Sequence, residues 1–360
     1  MNFDTSIEIG GRTVALDSSA YFIADIASNH DADLDRAIEL INLAAESGAD
    51  AVKFQHFLAR GIVSDRGFRE LGTQRGHQSN WSASVYETYE QYELERGWMP
   101  ILADAARNAG VTFMSTPYDR EAIKAVRDFV PAFKIGSGDI TWTSFLDQVA
   151  REGKPVILAT GASSMADVDR AVETILRRNP SMAVLQCNTN YTGDASNFRY
   201  SNLNVLTTFS KRWPGMVLGL SDHTPGHAVV LGAIALGARI IEKHFTDDND
   251  RDGPDHMFSL NPAAWREMIG RSRELEAALG DGEKRVEANE TETFVIQRRA
   301  LHVTRDLAIG TPLAADDLES LRPAPSGSYE PYRQAELIGR RLEVTKLSGQ
   351  ALFPSDLESS

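Results

Sequence analysis

Two histidines and two lysines stand in short apolar runs of this sequence, and together they could act on a small anion with help from a metal. His223 ends the segment VLGLSDH, and His244 lies near the end of RIIEKHF. Two imidazoles can hold a divalent metal and leave positions open for water and substrate. Lys53 and Lys134 lie in similar runs, where a buried ammonium is costly unless an anion pairs with it. These residue types suit a substrate that carries both phosphate and carboxylate, such as phosphoenolpyruvate.

Each of these residues also has an interpretation without catalysis. A single histidine at the end of a strand is more often a satisfied core residue than a ligand, and a lysine could pair with Glu242 or Asp139 for stability alone. A lysine inside a barrel could instead form a Schiff base with a carbonyl substrate. The carboxylates Asp25, Glu242 and Asp255 accompany the histidine pair, and this combination favours the metal site. Weaker alternatives as ligands are His30 and His56.

Hydroxyl groups stand at comparable positions in neighbouring apolar runs. Thr116 lies near the end of VTFMSTPY, Ser137 lies in AFKIGSGDI, and Ser221 lies two residues before His223. Hydroxyls and ammonium groups together form a plausible cradle for phosphate and carboxylate oxygens.

Eight β-branched, apolar runs alternate with segments of helical periodicity. The predicted strands span residues 21–28, 51–57, 111–118, 132–140, 155–161, 183–188, 217–223 and 239–245. Strands joined through helices pair in parallel, and eight such units favour a closed (β/α)8 TIM barrel, in the α/β class, over an open doubly wound sheet. The active site of such a barrel forms at the carboxyl ends of its strands, and side chains alternate along each strand. We expect three pairs to face one pocket: Lys53 with Gln55, Ser221 with His223, and Glu242 with His244.

The alternation is interrupted between the second and third predicted strands. Residues 58–98 form a long polar insertion, part of which, SASVYETYEQYELERG, has a helical pattern. Long loops at this end of a barrel often cover active sites, so we interpret the insertion as a lid; the alternative is a plain surface insertion. Its polar and aromatic residues include His77, Gln78, Asn80, Trp81, Tyr86, Tyr89 and Tyr92.

A second, smaller module follows the barrel. We predict a barrel domain over residues 1–282 that ends with a helix at 262–279, a charged linker over 283–294, and a mainly β module over 295–360. The module has a weak internal repeat, in which Gly310, Leu313, Asp317, Leu318 and Glu319 recur as Gly349, Leu352, Asp356, Leu357 and Glu358. So small a module buries little core by itself and is expected to dock on something.

Composition excludes several classes of protein. The 360 residues carry a formal net charge of −14, which argues against a nucleic-acid-binding surface. Cys187 is the only cysteine, so an intrachain disulfide and a four-cysteine zinc site are impossible. Neither a signal-peptide pattern nor a long apolar span is present, so we expect a soluble, cytoplasmic protein without membrane partners.

Several blocks resemble the sialic acid synthase family, whose members condense phosphoenolpyruvate with an N-acylated hexosamine to a nine-carbon 2-keto sugar acid. The blocks are FIADIASNHDADLDRAIELINLAAESGADAVKFQ, FKIGSGDI, GKPVILATGAS, GLSDHTPG and ALGARIIEKHFTDDNDRDGPDH. The segment RRALHVTRDLAIGTPLAADDLESLRP resembles the family's C-terminal module, which is similar to type III antifreeze protein and is called the SAF fold. The resemblance spans nearly the whole chain.

The resemblance implies roles for individual residues. His223 and His244 correspond to ligands of a Mn²⁺ or Mg²⁺ that would bind the aldehyde oxygen of the open-chain sugar. The resemblance implies that phosphoenolpyruvate is bound by Lys53, Thr116, Lys134, Ser137 and Ser221. It implies that the acceptor sugar is contacted by Gln55, Tyr191 and Asp255. Asp139 and Thr189, at the ends of two predicted strands, are expected to contact substrate as well. Arg322 corresponds to an arginine that reaches a partner subunit's site and contacts the N-acyl group, which implies a domain-swapped homodimer.

The chain departs from the family pattern at three places. Asp25 replaces the usual glutamate and keeps its charge with one methylene less of reach, so as a general base it would sit differently or act through water. Ala159 replaces a serine, with Thr160 as a possible substitute, and NHDA replaces NHNG. The lysines and histidines of the expected site are intact.

Other functions stay open on the sequence alone. The chain could be another phosphoenolpyruvate-condensing enzyme, of the 3-deoxy-octulosonate or heptulosonate type, although the C-terminal module argues against that. It could also be a non-catalytic sugar-binding relative. The acceptor is open as well: N-acetylmannosamine would give sialic acid, and diacetamido-trideoxy hexoses would give legionaminic or pseudaminic acid.

Overall fold

The structure is a computed structural model that describes residues 2–73, 78, 79 and 81–358. The chain divides into two compact units, Met1–Gly280 and Asp281–Ser360. Within the described residues, no helix is both long enough and apolar enough to cross a bilayer.

The first unit is a closed barrel of eight parallel strands. These are β3 Tyr21–Asp25, β4 Ala51–His56, β5 Thr112–Pro117, β6 Phe133–Ile135, β7 Val156–Ala159, β8 Met182–Cys187, β9 Val217–Asp222 and β10 Ala238–His244. Each strand pairs with the next along the chain, and β10 closes the ring against β3. The predicted TIM-barrel class is confirmed.

Helices surround the barrel. They are α1 Leu34–Glu46, α5 Met99–Ala109, α6 Arg120–Val126, α7 Thr143–Ala150, α8 Met165–Leu176, α9 Val205–Arg212, α10 Ala228–Ala235 and α11 Pro262–Leu279. α1 begins at Asp33, whose side chain accepts from the Arg36 N–H, and α11 begins at Asn261 in the same way. The strands are buried on both faces, which explains why they read as continuous apolar runs rather than as alternating ones.

A hairpin that the sequence did not lead us to predict lies at the start of the chain. Strands β1 Ser6–Ile9 and β2 Arg12–Ala15 pair antiparallel around a turn at Gly10 and Gly11, both with positive φ. The buried side chains of Ile7, Ile9 and Val14 join the core inside the barrel. Because β3 begins six residues after β2, the hairpin seals the amino-terminal end of the barrel, and the opposite end stays open for a site.

The fourth barrel strand is shorter than predicted. β6 ends at Ile135, and residues Ser137–Asp139 form a 3-10 turn instead of continuing the strand to residue 140. Four consecutive small or polar residues, GSGD, offer no apolar side chain to pack on either face, so the strand has no reason to continue. Ser137 and Asp139 therefore lie on a turn.

The insertion after β4 contains three short helices among its described residues. It contains α2 Ala59–Ile62, α3 Asp65–Glu70 and α4 Val85–Gln91, and α4 lies within the segment predicted to be helical. A capping box starts α4, in which Ser84 accepts from the Glu87 N–H and the Glu87 carboxylate accepts from the Ser84 N–H. His77 and Asn80, which the sequence placed in the expected lid, lie outside the described residues.

The second unit is a small strand-rich module, as predicted. The helix α12 Thr291–Gln297 precedes an antiparallel pair, β11 Ala300–Val303 and β12 Leu318–Leu321, and α13 Gln334–Leu337 follows. The internal repeat is visible in two matching turns. Asp317 accepts from the Ala314 N–H in one turn, and Asp356 accepts from the Phe353 N–H in the other. The repeated leucines lie in one buried cluster, so the two halves share a core.

Candidate active site

A cavity of about 190 Å³ lies at the carboxyl ends of the barrel strands. We call it the anion cavity, because two lysines line it. Most of the residues singled out from the sequence line it together: Asp25, Lys53, Gln55, Thr116, Lys134, Ser137, Tyr191, Ser221, His223, Glu242 and His244. Alternation along β4, β9 and β10 explains why the predicted pairs face inward, since residues two apart share a face.

Two ammonium groups lie inside this cavity, each against a carboxylate. Lys53 is 2% exposed, and its Nζ lies 2.7 Å from Asp25 Oδ2. Lys134 is 3% exposed, and its Nζ lies 3.1 Å from Glu242 Oε1. The Thr116 hydroxyl lies 3.2 Å from Lys53 Nζ. The structural pairing considered as an alternative does occur, and the same ammonium groups face the cavity, where an anion can reach them.

Burial and ion pairing shift the pKa values of these groups in opposite directions. Burial alone raises the pKa of the Asp25 carboxyl, but the Lys53 ammonium and hydrogen bonds from Lys53 and Gln55 lower that pKa below its ordinary value. The pKa of the Glu242 carboxyl is also lowered, because the charges of Lys134 and Lys53 outweigh the effect of burial. The pKa of Lys53 is raised, because the carboxylates outweigh burial. Both carboxylates are therefore ionised at neutral pH.

The two histidines come together at the ends of neighbouring strands. Their ring centroids lie 5.3 Å apart. Nδ1 of His223 lies 2.9 Å from the Asn188 carbonyl oxygen, so Nδ1–H donates there and the Nε2 lone pair is left for a ligand. Burial lowers the pKa of His223 to about 3, which keeps the ring neutral.

The chemistry of this pair fits a divalent metal. A neutral imidazole whose other N–H is anchored on a carbonyl is the usual state of a metal ligand. Nδ1 of His244 is buried and has no hydrogen-bond partner among the described residues, so that ring also has an unused nitrogen. Across the same residues, no group of three or more histidine, cysteine or acidic side chains is placed to hold a metal. A metal held by the pair would therefore keep positions for water or substrate.

A second cavity of about 120 Å³, which we call the acceptor cavity, adjoins the first. The two share wall residues, including Gln55, Tyr118, Tyr191 and His244, so they lie side by side. Tyr191 packs edge-on against His223 with ring centroids 4.3 Å apart. Asp255, on the loop after β10, lines only the acceptor cavity, and its Oδ2 accepts from the Ser28 N–H at 3.1 Å.

Three of the predicted site residues do not line either cavity. Asp139 lies on the turn after β6, where burial raises the pKa of its carboxyl to about 6. Thr189 is half-buried and lies beside Gly161, whose backbone N–H donates to Ser137 Oγ at 2.9 Å. A Cβ on Gly161 would come within 2.4 Å of the Thr189 methyl group, so only glycine allows this approach. Arg322 is exposed and belongs to the second unit.

Several lining residues were missed in the sequence. Phe57 and Tyr118 follow β4 and β5, and Cys187 ends β8. Alternation of side chains could have identified Cys187 as a lining residue, because it pairs in register with Ser221, whose side chain faces inward. The aromatic residues carry no comparable signal, since a tyrosine after a strand is common on any surface.

His30 and His56, weaker candidates for metal ligands, do not line the anion cavity. Nδ1 of His56 lies 2.6 Å from Ser115 Oγ, and the His30 ring lies 6.2 Å from the Phe54 ring in the core between strands and helices. Burial lowers the pKa of His30 to about 4 and that of His56 to about 3. Both rings are therefore neutral structural residues.

These two histidines predict a loss of stability in mild acid. An unfolded histidine takes up a proton below about pH 6.5, whereas these folded ones do not, so the free energy of unfolding falls as the pH falls. Between about pH 7 and pH 5 the loss is roughly 2 kcal/mol per histidine. Denaturant unfolding of the wild type and of His56→Gln at both pH values measures it. The variant should lose less stability on acidification, and an identical loss in both proteins would contradict the assignment.

Comparison with known proteins gives consistent similarities. The NeuB family description matches residues 40–284, and the SAF domain description matches residues 298–358. The chain is 32% identical to an N,N'-diacetyllegionaminic acid synthase of Legionella pneumophila, over 95% of each chain. It is 30% identical to the N-acetylneuraminate-9-phosphate synthase of Homo sapiens, over 93% of this chain and 92% of the human one.

A solved structure of similar fold is the N-acetylneuraminic acid synthetase of Leptospira borgpetersenii in complex with citrate. It superposes with a TM-score of 0.70 at 25% identity, over 81% of this chain and 96% of that one. The similarity therefore holds in sequence and in fold.

Proposed function

The chain belongs to the NeuB family of acid synthases, and on that premise we propose that it condenses phosphoenolpyruvate, an N-acylated hexosamine and water to a nine-carbon 2-keto sugar acid and phosphate. One observation carries the proposal: two buried ammonium groups and two imidazoles face a single cavity at the carboxyl end of the barrel. Each lysine is stabilised by a buried carboxylate, and its ammonium group still faces the cavity, where it can donate to a substrate anion. A second cavity adjoins this one.

Phosphoenolpyruvate would occupy the anion cavity. Its phosphate and carboxylate oxygens would accept hydrogen bonds from the free N–H groups of Lys53 and Lys134 and from hydroxyl groups. The hydroxyls that line the cavity are those of Thr116, Ser137 and Ser221. Ser221 Oγ lies 3.0 Å from Glu242 Oε1 in the structure, so it would change its partner when the anion binds.

The acceptor would enter from the acceptor cavity, with its aldehyde towards the histidines. A Mn²⁺ or Mg²⁺ held by His223 and His244 would supply Lewis-acid polarisation of that aldehyde. Gln55, Tyr191 and Asp255 would bind and orient the sugar, since all three line its cavity. The enclosing aromatic side chains would exclude bulk water from the reacting carbons.

The reaction makes two bonds and breaks one. C3 of phosphoenolpyruvate bonds to the aldehyde carbon, water adds at C2, and the C2–O bond to phosphate breaks. Of the two protons of the added water, one leaves with the phosphate as the 2-keto group forms, and the other reaches the former aldehyde oxygen. Asp25 is ionised, and its Oδ2 lies 3.7 Å from His244 Nε2. We therefore assign the transfer of this proton to Asp25. The ammonium groups would stabilise the charge on the departing phosphate.

The experiment is a phosphate-release assay with phosphoenolpyruvate, Mn²⁺ and a panel of N-acylated hexosamines. In H₂¹⁸O, cleavage of the C–O bond leaves the released phosphate unlabelled, whereas P–O cleavage would label it. Unlabelled phosphate together with a sugar acid in the mass spectrum supports the proposal. Folded protein that releases no phosphate with any sugar would favour a non-catalytic sugar-binding protein.

We also propose that the protein acts as a homodimer in which the partner subunit's Arg322 contacts the N-acyl group of the sugar. Arg322→Ala is then expected to raise KM for the sugar by at least about tenfold and to leave KM for phosphoenolpyruvate nearly unchanged, because only the sugar contact is lost. Arg341, exposed in the same module, provides the control variant Arg341→Ala. Equal effects on both substrates would contradict the role, and a monomeric protein in light scattering would contradict the homodimer.

A further inference from the structure

A buried ion pair lies directly behind the two histidines, on the other face of β9 and β10. Asp222 is the last residue of β9 and immediately precedes His223. Lys243 immediately precedes His244, and the parallel strands pair it in register with Asp222. Asp222 is 5% and Lys243 is 1% exposed, and Lys243 Nζ lies 2.5 Å from Asp222 Oδ2. The histidines line the anion cavity, whereas Asp222 and Lys243 line neither cavity, which agrees with alternation along a strand.

The ammonium group of this pair contacts the residues on both sides of His223. Besides Asp222, which precedes the histidine, Lys243 Nζ donates to the carbonyl oxygen of Thr224, which follows it, at 2.5 Å. Asp222 Oδ1 in turn accepts from the Thr224 N–H at 3.1 Å and from the Thr224 hydroxyl at 2.9 Å. The turn around His223 is therefore closed by hydrogen bonds and tied to the strand that carries His244.

The backbone ladder alone does not hold the two histidines together. The register between β9 and β10 ends at Asp222 and Lys243, so His223 lies past the last paired residue of its strand. His244 is paired on its other side, with Asp25 of β3. The bond from Lys243 to the Thr224 carbonyl is thus the contact that continues the connection between β9 and β10 beyond the end of their ladder.

Stability by itself is a weak reason for this arrangement. Taking two charges out of water costs free energy that their attraction offsets only in part, and apolar residues of the same volume often stabilise a core equally well. Lys53 and Lys134 are buried as well, but their ammonium groups face the anion cavity. Lys243 faces away from it, so its ammonium supplies two directed hydrogen bonds, which fix where the backbone around His223 lies.

From these contacts we propose that Asp222 and Lys243 are positioning residues of the metal site. Their ion pair holds the turn around His223 against the end of β10, so that both imidazoles reach one divalent cation. Neither residue touches the metal or a substrate; each acts through the backbone that carries a histidine. The inference rests on the proposed function only in placing the metal at the histidine pair, and it does not depend on which sugar is the acceptor.

The test removes both charges of the full-length protein at once, with Asp222→Asn and Lys243→Met. The asparagine keeps an acceptor for the Thr224 N–H, and no buried charge is left unpaired, so most of the stability should be kept. Mn²⁺ affinity is measured by electron paramagnetic resonance without substrates, and thermal unfolding confirms the fold. We expect Mn²⁺ to bind at least about tenfold more weakly, because outer contacts of ligating histidines are typically worth roughly ten- to a hundredfold. Wild-type Mn²⁺ affinity in the folded variant would overturn the inference.

A milder double variant tests the hydrogen bond itself. Asp222→Asn with Lys243→Gln keeps an amide donor for the Thr224 carbonyl, although a neutral donor is weaker than an ammonium. It should lose only roughly threefold in Mn²⁺ affinity and so bind the metal more tightly than the methionine variant. Wild-type affinity in the glutamine variant, or equal affinities of the two double variants, would contradict the role of this bond.

The second unit offers a matched control. Lys346 and Asp356 form a buried pair there, with Lys346 Nζ 2.7 Å from Asp356 Oδ2, and Asp356 likewise accepts from a backbone N–H. Asp356→Asn with Lys346→Met removes the same two charges far along the chain from the histidines and should leave Mn²⁺ affinity unchanged. An equal loss of Mn²⁺ affinity in this control would show that the effect does not come from the pair behind the histidines.

Affinity for phosphoenolpyruvate separates positioning from general damage to the barrel. Calorimetry without metal should give an affinity within about threefold of the wild type for Asp222→Asn with Lys243→Met, because Lys53 and Lys134 are intact. A merely structural role would weaken both ligands together. Equal losses of Mn²⁺ and phosphoenolpyruvate affinity would therefore overturn the positioning role.

The outcomes separate this inference from the proposed function. If the wild type binds Mn²⁺ and the double variants bind it equally well, the inference fails and the proposed function stands. If Mn²⁺ affinity falls as expected but the wild type converts no sugar, the function fails and the positioning role stands. If the wild type binds Mn²⁺ no better than His223→Ala does, the metal site and the inference fail together.

Discussion

His244→Ala is expected to lower metal-dependent phosphate release by at least about a thousandfold. The variant would lose one of the two imidazoles that hold the metal, and the aldehyde would then lose its Lewis acid. His223→Ala should act alike, with an added modest cost in stability since the Asn188 carbonyl loses its donor. The measurements are phosphate release across a Mn²⁺ titration and Mn²⁺ binding by electron paramagnetic resonance.

The control for these variants is another histidine. His227, half-buried at the start of α10, lines neither cavity, so His227→Ala should keep full Mn²⁺ binding and turnover. Thermal unfolding of all three variants separates loss of the site from loss of the fold. Normal Mn²⁺ affinity and turnover in folded His244→Ala protein would exclude the imidazole pair as the metal site.

Lys134→Met is expected to remove phosphoenolpyruvate binding and also to destabilise the protein. The Glu242 carboxylate is almost completely buried, and without the ammonium 3.1 Å away it becomes an uncompensated charge. Breaking a buried pair from one side costs about 3–5 kcal/mol, whereas removing both charges is often nearly neutral. Urea unfolding should show that cost, and calorimetry should show a loss of phosphoenolpyruvate affinity of at least about a hundredfold.

A double variant separates the two roles of this lysine. Lys134→Met with Glu242→Gln leaves no unpaired charge, so most of the stability should return, while phosphoenolpyruvate binding stays absent. Recovery of stability without binding would assign the ammonium to the substrate. Full phosphoenolpyruvate affinity in the double variant would mean that Lys134 serves only as the structural partner of Glu242.

The barrel could be predicted from the sequence because each of its strands is specified by a short segment of the chain. A run of β-branched residues bounded by glycine or polar residues predicts a strand by itself, and alternation then places Lys53 and Gln55 on one face. The same local logic predicted α11 and its end at Gly280. It failed at β6, where the apolar pattern stops at Ile135 although the prediction continued to residue 140. It also missed the hairpin β1–β2, whose strands of four residues each are too short to show a period.

The inward direction of a strand side chain follows from the local pattern alone, since a period of two needs only neighbours along the chain. The tertiary structure decided which of these side chains meet. Lys134 finds Glu242 across the barrel, and Asp255 reaches the acceptor cavity from the loop after β10. These contacts join residues roughly a hundred or more positions apart, and they exist only because closure of the ring brings distant strand ends to one mouth.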